Sequence, residues 1–315
     1  MADPGASHRS LLGPLAAAGA SILGGAAVVA TRFAVKQIDP LSLAFLRYLI
    51  GCAFLLPFVL RTGRLHITRE DLLPVALLGV IFFGAFPWSF SAALKYTTAS
   101  RGALVLSTVP LLTLFLSGFM GAEVLTLRKV TGVTIAFLGV ALVLADKMVV
   151  AGSLESNLFG DLLMLGAAGC GAVYNVFSQP YLRKYPRLSV TVVSMLAGTS
   201  ALLVPVTATG SLTLLHLVTP RLWLLVLFLG IFGVALSCFL LVWALELTTP
   251  TRVAVFITVN PLVAISLGIA LLGEPMTGQV VLGFGCVLAG IGLAVWQPDQ
   301  VTAASLPSRI SGNAG

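Results

Sequence analysis

The stretch LKYTTASRGALVLSTVPLLTLFLSGFMGAE, residues 94–123, returns with the same landmarks as LELTTPTRVAVFITVNPLVAISLGIALLGE, residues 245–274. Thr97-Thr98 answers Thr248-Thr249, Arg101 answers Arg252, Pro110 answers Pro261 and Glu123 answers Glu274, all at an offset of 151 without a gap. Gly79/Gly230, Ala93/Ala244, Ala103/Ala254, Gly132/Gly283 and Gly139/Gly290 keep that offset. So long a period means a duplicated domain of about half the chain, not a solenoid of short repeats. Each copy carries its proline in the middle of an apolar run.

The 315 residues are 58% hydrophobic and only 9% charged, with a mean hydropathy of +1.06. A soluble domain carries about 25% charged residues, so the chain reads as an integral membrane protein. The net charge of +7 does not point to nucleic acid, because the basic residues form short clusters between apolar runs, such as Arg61, Arg64 and Arg69. Clusters of that kind orient helices in a bilayer. Cys52, Cys170, Cys238 and Cys286 lie inside apolar runs without metal-ligand spacing and read as small buried hydrophobes. Residues 1–12 lack the pattern of a secretory signal, so the first apolar run is expected to stay as a span.

A span needs about 20 mostly apolar residues. Ten such runs are legible, at about 14–34, 41–60, 72–93, 100–120, 129–146, 160–181, 189–209, 221–245, 251–272 and 278–296. Pro14, Pro74 and Pro220 are expected at or just before helix starts. The domain plan is a cytoplasmic tail 1–13, a first five-helix repeat 14–146, a linker 147–159, a second repeat 160–296 and a disordered tail 297–315. Placing both termini in the cytoplasm puts eleven loop cations inside against six outside, the arrangement that charge bias favours. Five crossings per copy turn the second copy upside down. The fold class is therefore all-α, ten transmembrane helices in two inverted repeats, an architecture that carries its site at the repeat interface.

Every acidic residue falls at a helix end or in a loop of this map, as do His8, His66 and His216. Proton pumps place such groups within a span, so transport is expected to be facilitated or by exchange. No nucleophile elbow, paired intramembrane aspartates or His/Cys cluster is present, so no enzyme, cofactor or metal is expected.

Pro110 cannot donate to the Leu106 carbonyl, nor Pro261 to that of Ile257, so each helix is expected to bend or open near mid-depth. Ser107 with Pro110, and Thr258 with Pro261, fall on narrow stripes of small and hydroxylated residues. Such stripes are either tight helix contacts or one wall of a wet cavity. Asn260 adds an amide that is costly to turn toward lipid. The sixth run offers Tyr174, Asn175 and Ser178, the most polar stretch within any span. Trp88 and Trp243 occupy the third and eighth runs; tryptophan usually marks the membrane interface, but Trp88, beside Pro87, reads as a cavity wall. Arg47 is the one charge placed within a span. It either meets a substrate carboxylate or snorkels to the interface, and the structural role is the one favoured.

Two five-helix copies, each with Ala-Leu, Thr-Thr, a mid-helix proline and then Glu, resemble the EamA-type members of the drug/metabolite transporter superfamily. Arg47, in Leu46-Arg47-Tyr48, matches an arginine usual in that family's second span; the tryptophan often found before the glycine of its first span is replaced by Leu23. The resemblance implies a bacterial inner-membrane exporter of small metabolites, working by alternating access, with a small-molecule substrate and lipid as its partners. An amino acid suits Arg47, Trp88, Trp243, Tyr174, Asn175, Ser178, Ser107, Thr258 and Asn260 better than a strongly anionic nucleotide sugar. Those residues, with hinges at Pro110 and Pro261, form the candidate site. The alternatives are a nucleotide-sugar or other organic-solute carrier of the superfamily and a non-transporting membrane scaffold. Nothing in the sequence sets the oligomeric state, and a monomer is compatible with it.

Overall fold

The computed structural model describes residues 4–61, 67–120, 126–144, 154–211, 219–247, 253, 256 and 259–295. Thr258, Glu123, Arg252, the tail 297–315 and the first part of the linker, 147–153, lie outside the described residues. The first half comprises α1 (Pro4–Ala34), α2 (Pro40–Arg61) and a third span built from α3 (Arg69–Gly79), a π-helical segment (Val80–Ala85) and α4 (Phe86–Tyr96). A fourth span, α5 (Ala99–Leu106) with α6 (Val109–Phe119), and α7 (Leu127–Leu144) complete it. The second half runs through α8 (Leu154–Phe177), the short α9 (Gln179–Lys184) and α10 (Arg187–Ala208). It continues with α11 (Pro220–Phe228), a second π-helical segment (Leu229–Leu236), α12 (Ser237–Leu247), α13 (Val259–Leu272) and α14 (Gly278–Val295).

Seven segments among the described residues have the length and hydropathy of a membrane crossing; α7, α13 and α14 supply the other three, and no described residue is in a strand. In lipid, helices answer the demand that every backbone polar group be satisfied internally. Three boundaries depart from the sequence expectation. Helix α1 begins at Pro4 rather than near residue 14, and α8 begins at Leu154, inside the expected linker. Pro14 and Pro74 lie inside helices, and only Pro220 opens one. Pro74 leaves the Glu70 carbonyl without its helical donor, but Glu70 is exposed near the start of α3, where water can take the donor's place.

The two halves pack on each other through one repeated set of contacts. Helix α1 lies against α12 and α13, and its counterpart α8 lies against α4, α5 and α6. Helix α2 crosses the second π-helical segment as α10 crosses the first, while α2 meets α10 and α7 meets α14. Exchanging the halves maps this list onto itself, which is a pseudo-two-fold axis between inverted repeats.

Glycines set the depth of these crossings. A Cβ on Gly198 would stand 2.5 Å from the Gly79 carbonyl oxygen and 2.6 Å from Phe83; one on Gly51 would stand 2.6 Å from Val234. Gly51 and Gly198 are equivalent, as are Phe83 and Val234, so one contact is made twice. The same holds where α7 meets α14, with Gly139 against the Gly283 carbonyl and Gly290 against that of Gly132. Lipid tails give helices little hydrophobic reason to associate, so close backbone approach at small residues supplies the packing. Both π-helical segments sit at the α2 and α10 crossings. Pro87 follows the first, but the second is followed by Cys238, so the crossing rather than a proline is their common feature.

A Cβ on Gly79 would lie 2.2 Å from the Ser194 carbonyl oxygen, whereas nothing lies within 4 Å of one on Gly166. Gly79→Leu is therefore expected to cost at least the ~1–3 kcal/mol typical of overpacking. Gly166→Ala should be neutral or stabilising by up to ~1 kcal/mol. Thermal unfolding of the two variants in the same detergent checks the contrast.

Candidate functional site

One end of the bundle is tied together by buried charge. Thr98 caps α5, its hydroxyl accepting from the Arg101 amide at 3.2 Å. The Glu274 carboxylate completes that cap from the other half of the chain. Its Oε1 accepts from the Ala99 amide at 2.7 Å, and its Oε2 accepts from the Ser100 amide at 3.0 Å and the Ser100 hydroxyl at 2.8 Å. A carboxylate on the first amides of a helix satisfies unpaired donors and favours the helix dipole. Gly273, at φ +63°, makes the turn that delivers Glu274, since the left-handed conformation is costly for any residue with a Cβ.

Beside it, the Arg101 guanidinium meets Asp161 Oδ2 through Nη2 at 2.5 Å and Nε at 3.2 Å, while the Thr97 hydroxyl donates to Oδ1 at 2.6 Å. Arg101 is 2% and Asp161 1% exposed. Arg32 Nη1 donates to the Leu94 carbonyl at the end of α4, at 2.5 Å. These contacts join α1, α4, α5, α8 and the turn after α13 at what is here the Glu274 end. They correct two expectations. Arg101 is not a loop cation, so Arg47 is not the only charge within a span; and Asp161 lies inside α8 rather than at a helix end, while Glu274 does follow the end of α13 but is buried there. Their burial depends on partners from elsewhere in the chain.

The opposite, Glu246 end is built differently. Arg187 Nη1 donates to the Leu245 carbonyl at 3.0 Å; Leu245 stands at the offset of 151 from Leu94, the acceptor of Arg32, although the two arginines are not at equivalent positions. Asp71 accepts from Lys184 Nζ and from the Tyr185 hydroxyl, both at 2.6 Å. The Asp71 carboxylate, and after it the Tyr185 hydroxyl, hold the exposed Lys184 ammonium above its ordinary value. Between the end of α2, the start of α10 and the end of α12 lies a cavity of about 280 Å³ whose walls include Phe58, Leu188, Ser189, Phe239, Trp243 and Glu246. Phe239 stands edge-on to Phe58, with centroids 5.5 Å apart, and parallel to Trp243 at 6.4 Å.

Deeper than the cavity is a buried aromatic cluster. Tyr174 stacks on Phe82 at 4.6 Å and meets Phe83 edge-on at 5.7 Å, and Phe83 meets Tyr48 edge-on at 5.8 Å. Next to it lies Arg47, 5% exposed. Its guanidinium donates to the Thr31 hydroxyl at 3.2 Å and rests over the rings of Tyr48 and Phe90 at 5.3 and 5.6 Å. No described carboxylate pairs with it, and its Nε has no hydrogen-bond partner. The Ser178 hydroxyl is likewise buried without a partner, and the Tyr174 hydroxyl faces Ser194 and Thr191 without completing a bond to either.

The described residues singled out from sequence fall into five places. Asn175 on α8 donates to Thr113 on α6 at 3.3 Å, bringing Tyr174, Asn175 and Ser178 beside the break that holds Ser107 and Pro110. That break comes at Ser107-Thr108, where the two hydroxyls turn back on the Ala103 and Val105 carbonyls, and Pro110 stands in the first turn of α6. Asn260 and Pro261 open α13, with the Asn260 amide directly over Gly24. Trp243 lines the cavity, and Arg47 is buried in the core. Trp88 is 43% exposed on α4 and is not part of the cavity wall; neither are Pro110 and Pro261. Phe58, Phe239 and Glu246 were not legible as site residues. Nothing distinguishes the two phenylalanines from other apolar positions, and Glu246 read as the end of a span.

The EamA-like transporter family model matches the chain twice, over residues 11–145 and 158–296. The chain belongs to that family. It is 29% identical to an uncharacterized transporter of Archaeoglobus fulgidus, covering 86% of this chain and 94% of the relative. It is 26% identical to the uncharacterized transporter YyaM of Bacillus subtilis, over 87% of this chain and 90% of YyaM. It is 25% identical to the uncharacterized inner membrane transporter YedA of Escherichia coli K12, over 86% of each. A crystal structure with 21% identity superposes with a TM-score of 0.60, covering 91% of this chain and 96% of the other, a likeness of fold.

Breaking a buried ion pair by removing one partner costs about 3–5 kcal/mol, whereas replacing both with apolar groups is often neutral. Asp161→Leu is therefore expected to lower the unfolding midpoint sharply, and Arg101→Met in the same chain to restore most of the loss. Thermal unfolding of the two single variants and the double variant measures it.

Proposed function

We propose that this member of the EamA-like transporter family exports amino acids, or small metabolites of the same zwitterionic character, by alternating access without obligatory proton coupling. The Arg47 guanidinium carries the reading. A buried cation without a carboxylate partner is expensive in a membrane protein unless something visiting the site supplies the charge. An amino acid's carboxylate is such a group, and guanidinium binds it through two parallel hydrogen bonds. The rings of Tyr48 and Phe90 hold Arg47 in place and suit an apolar side chain nearby.

The excess of loop cations favours placing the Glu246 end in the cytoplasm. On that orientation the cavity opens inward while the outer end is latched, the arrangement an exporter adopts before loading. The order of events follows from the contacts. Substrate enters between α2, α10 and α12, displaces water near Tyr174 and Ser178, and brings its carboxylate to Arg47. Opening the far side then requires Glu274 to leave the α5 N-terminus and Arg101 to part from Asp161. Ser107, Pro110, Asn260 and Pro261 lie where helices are interrupted or begin, and there the halves can move against each other. Thr258 is proposed to share the α13 wall. A nucleotide sugar fits this arrangement less well, because Arg32 and Arg101 are already engaged at the latch.

A counterflow assay in liposomes against a panel of amino acids and nucleotide sugars tests the substrate class. Amino acids should exchange, Arg47→Met should reduce that exchange at least tenfold, and Arg47→Lys should retain part of it. Exchange of nucleotide sugars alone would overturn the reading. An imposed proton gradient should change the rate less than about twofold.

The latch gives a separate expectation. Glu274→Gln keeps the side chain's shape and removes its charge, so a cysteine introduced at Ser107 should become more reactive to an impermeant maleimide from the outer face. Reactivity equal to that of the parent chain would show that the Glu274 cap does not hold the outer end closed.

A further inference from the structure

The residues that line the cavity at the Glu246 end are not repeated at the equivalent positions of the first half, although the fold around them is. At the offset of 151, Trp243 is matched by Ala92, Phe239 by Trp88 and Glu246 by Lys95. The stacked aromatic is thus absent from the equivalent place and the charge is reversed. A feature kept by one half of a duplicated architecture and inverted in the other is not required by the packing.

We infer that Phe58, Phe239, Trp243 and Glu246 form a subsite for the ammonium group of an amphipathic amine, loaded at this end before transport. Three aromatic side chains, packed on one another, line one cavity, and a cation is drawn to an aromatic ring, tryptophan most of all. The exposed Glu246 carboxylate adds a full negative charge at the rim. It has no ion-pair partner among the described residues, while the nearby cations are engaged: Arg187 on the Leu245 carbonyl and Lys184 on Asp71. Among the described residues no lysine or arginine lines the cavity. Its volume of about 280 Å³ lies near the lower limit for small-molecule sites. That size suits one amine about as large as an amino acid and leaves a nucleotide sugar outside.

Under the proposed amino-acid transport, on which this inference rests for its substrate, the two ends of a zwitterion meet different groups. The ammonium is held first by the cage, and the carboxylate by Arg47 deeper in. The inversion at Lys95 then makes the two mouths unequal in affinity, because an ammonium attracted at the Glu246 end meets a like charge at the other.

Phenethylamine has the amine without the carboxylate, and 3-phenylpropionate the reverse. Each is titrated by calorimetry into the purified full-length protein in nanodiscs, with gel filtration confirming that the variants fold. Phenethylamine is expected to bind the parent chain, to bind about three- to tenfold more weakly to Glu246→Gln and to Trp243→Leu, and to be unaffected by Arg47→Met. Glu246→Asp should restore most of the binding. Equal phenethylamine binding by the parent, Glu246→Gln and Trp243→Leu, or tighter binding of 3-phenylpropionate that persists in Arg47→Met, overturns the cage.

Transport separates the two ideas. If phenethylamine binds as expected while no amino acid exchanges in liposomes, the cage stands and the transport reading falls. If amino acids exchange with the same KM in the parent and in Glu246→Gln, the transport reading stands and the cage falls.

Discussion

Close approach of backbones at glycine is the constraint on which this architecture rests. In water, burying an apolar stripe would hold the helices together; in lipid that drive is nearly absent, and what remains is contact. Gly79 against Ser194, Gly51 against Val234 and Gly139 against Gly283 bring helices to distances at which even a methyl group would collide. Because each contact recurs on the other side of the pseudo-two-fold axis, one geometric solution serves both halves. It also explains where the helices depart from α geometry. The π-helical turns fall at the crossings of α2 and α10, and a local widening there costs less than a loss of contact along the whole span.

Symmetry of packing leaves asymmetry to chemistry. At the Glu274 end, Arg101 meets Asp161, but the position matching Asp161 in the first half, at the offset of 147 that relates Gly51 to Gly198, is Pro14. Arg252, the counterpart of Arg101, therefore has no aspartate at the equivalent place. Lys95 against Glu246 is the same kind of departure. Substitutions on this scaffold are tolerated at rims and helix ends, where they change the electrostatics of one mouth without altering a helix crossing.

Much of this fold was legible in the sequence because duplication leaves a record that needs no structure. The offset of 151, the alternation of apolar runs and an odd number of spans per copy give inverted repeats by counting, and the contact pattern agrees. The proline at 110 also announced an interrupted helix, although the break falls at Ser107-Thr108, where two hydroxyls add second hydrogen bonds to the Ala103 and Val105 carbonyls that the same residues' amides already reach. The site was less legible, for a physical reason. Burial of Asp161 depends on Arg101 sixty residues away, and that of Glu274 on amides of Ala99 and Ser100 in the other half. A reading along one helix at a time assigns such groups to loops, where an unpaired charge would have to be. Trp88 shows the reverse limit: its depth in the span was legible, but the side of the helix it occupies depends on which neighbours α4 meets.

Those pairings bear on energy coupling in a way the sequence reading did not reach. The expectation of transport without a driving proton began from the absence of a carboxylate inside the spans, and Asp161 and Glu274 remove that premise. What the two carboxylates do in the fold is then the better guide. Asp161 is held by a guanidinium and a hydroxyl, and Glu274 by two amides and a hydroxyl, and each ties an element of the second half to the first. Under the proposed alternating access those contacts must part when the outer end opens, so any coupling that used either carboxylate would be one event with that opening rather than a separate step.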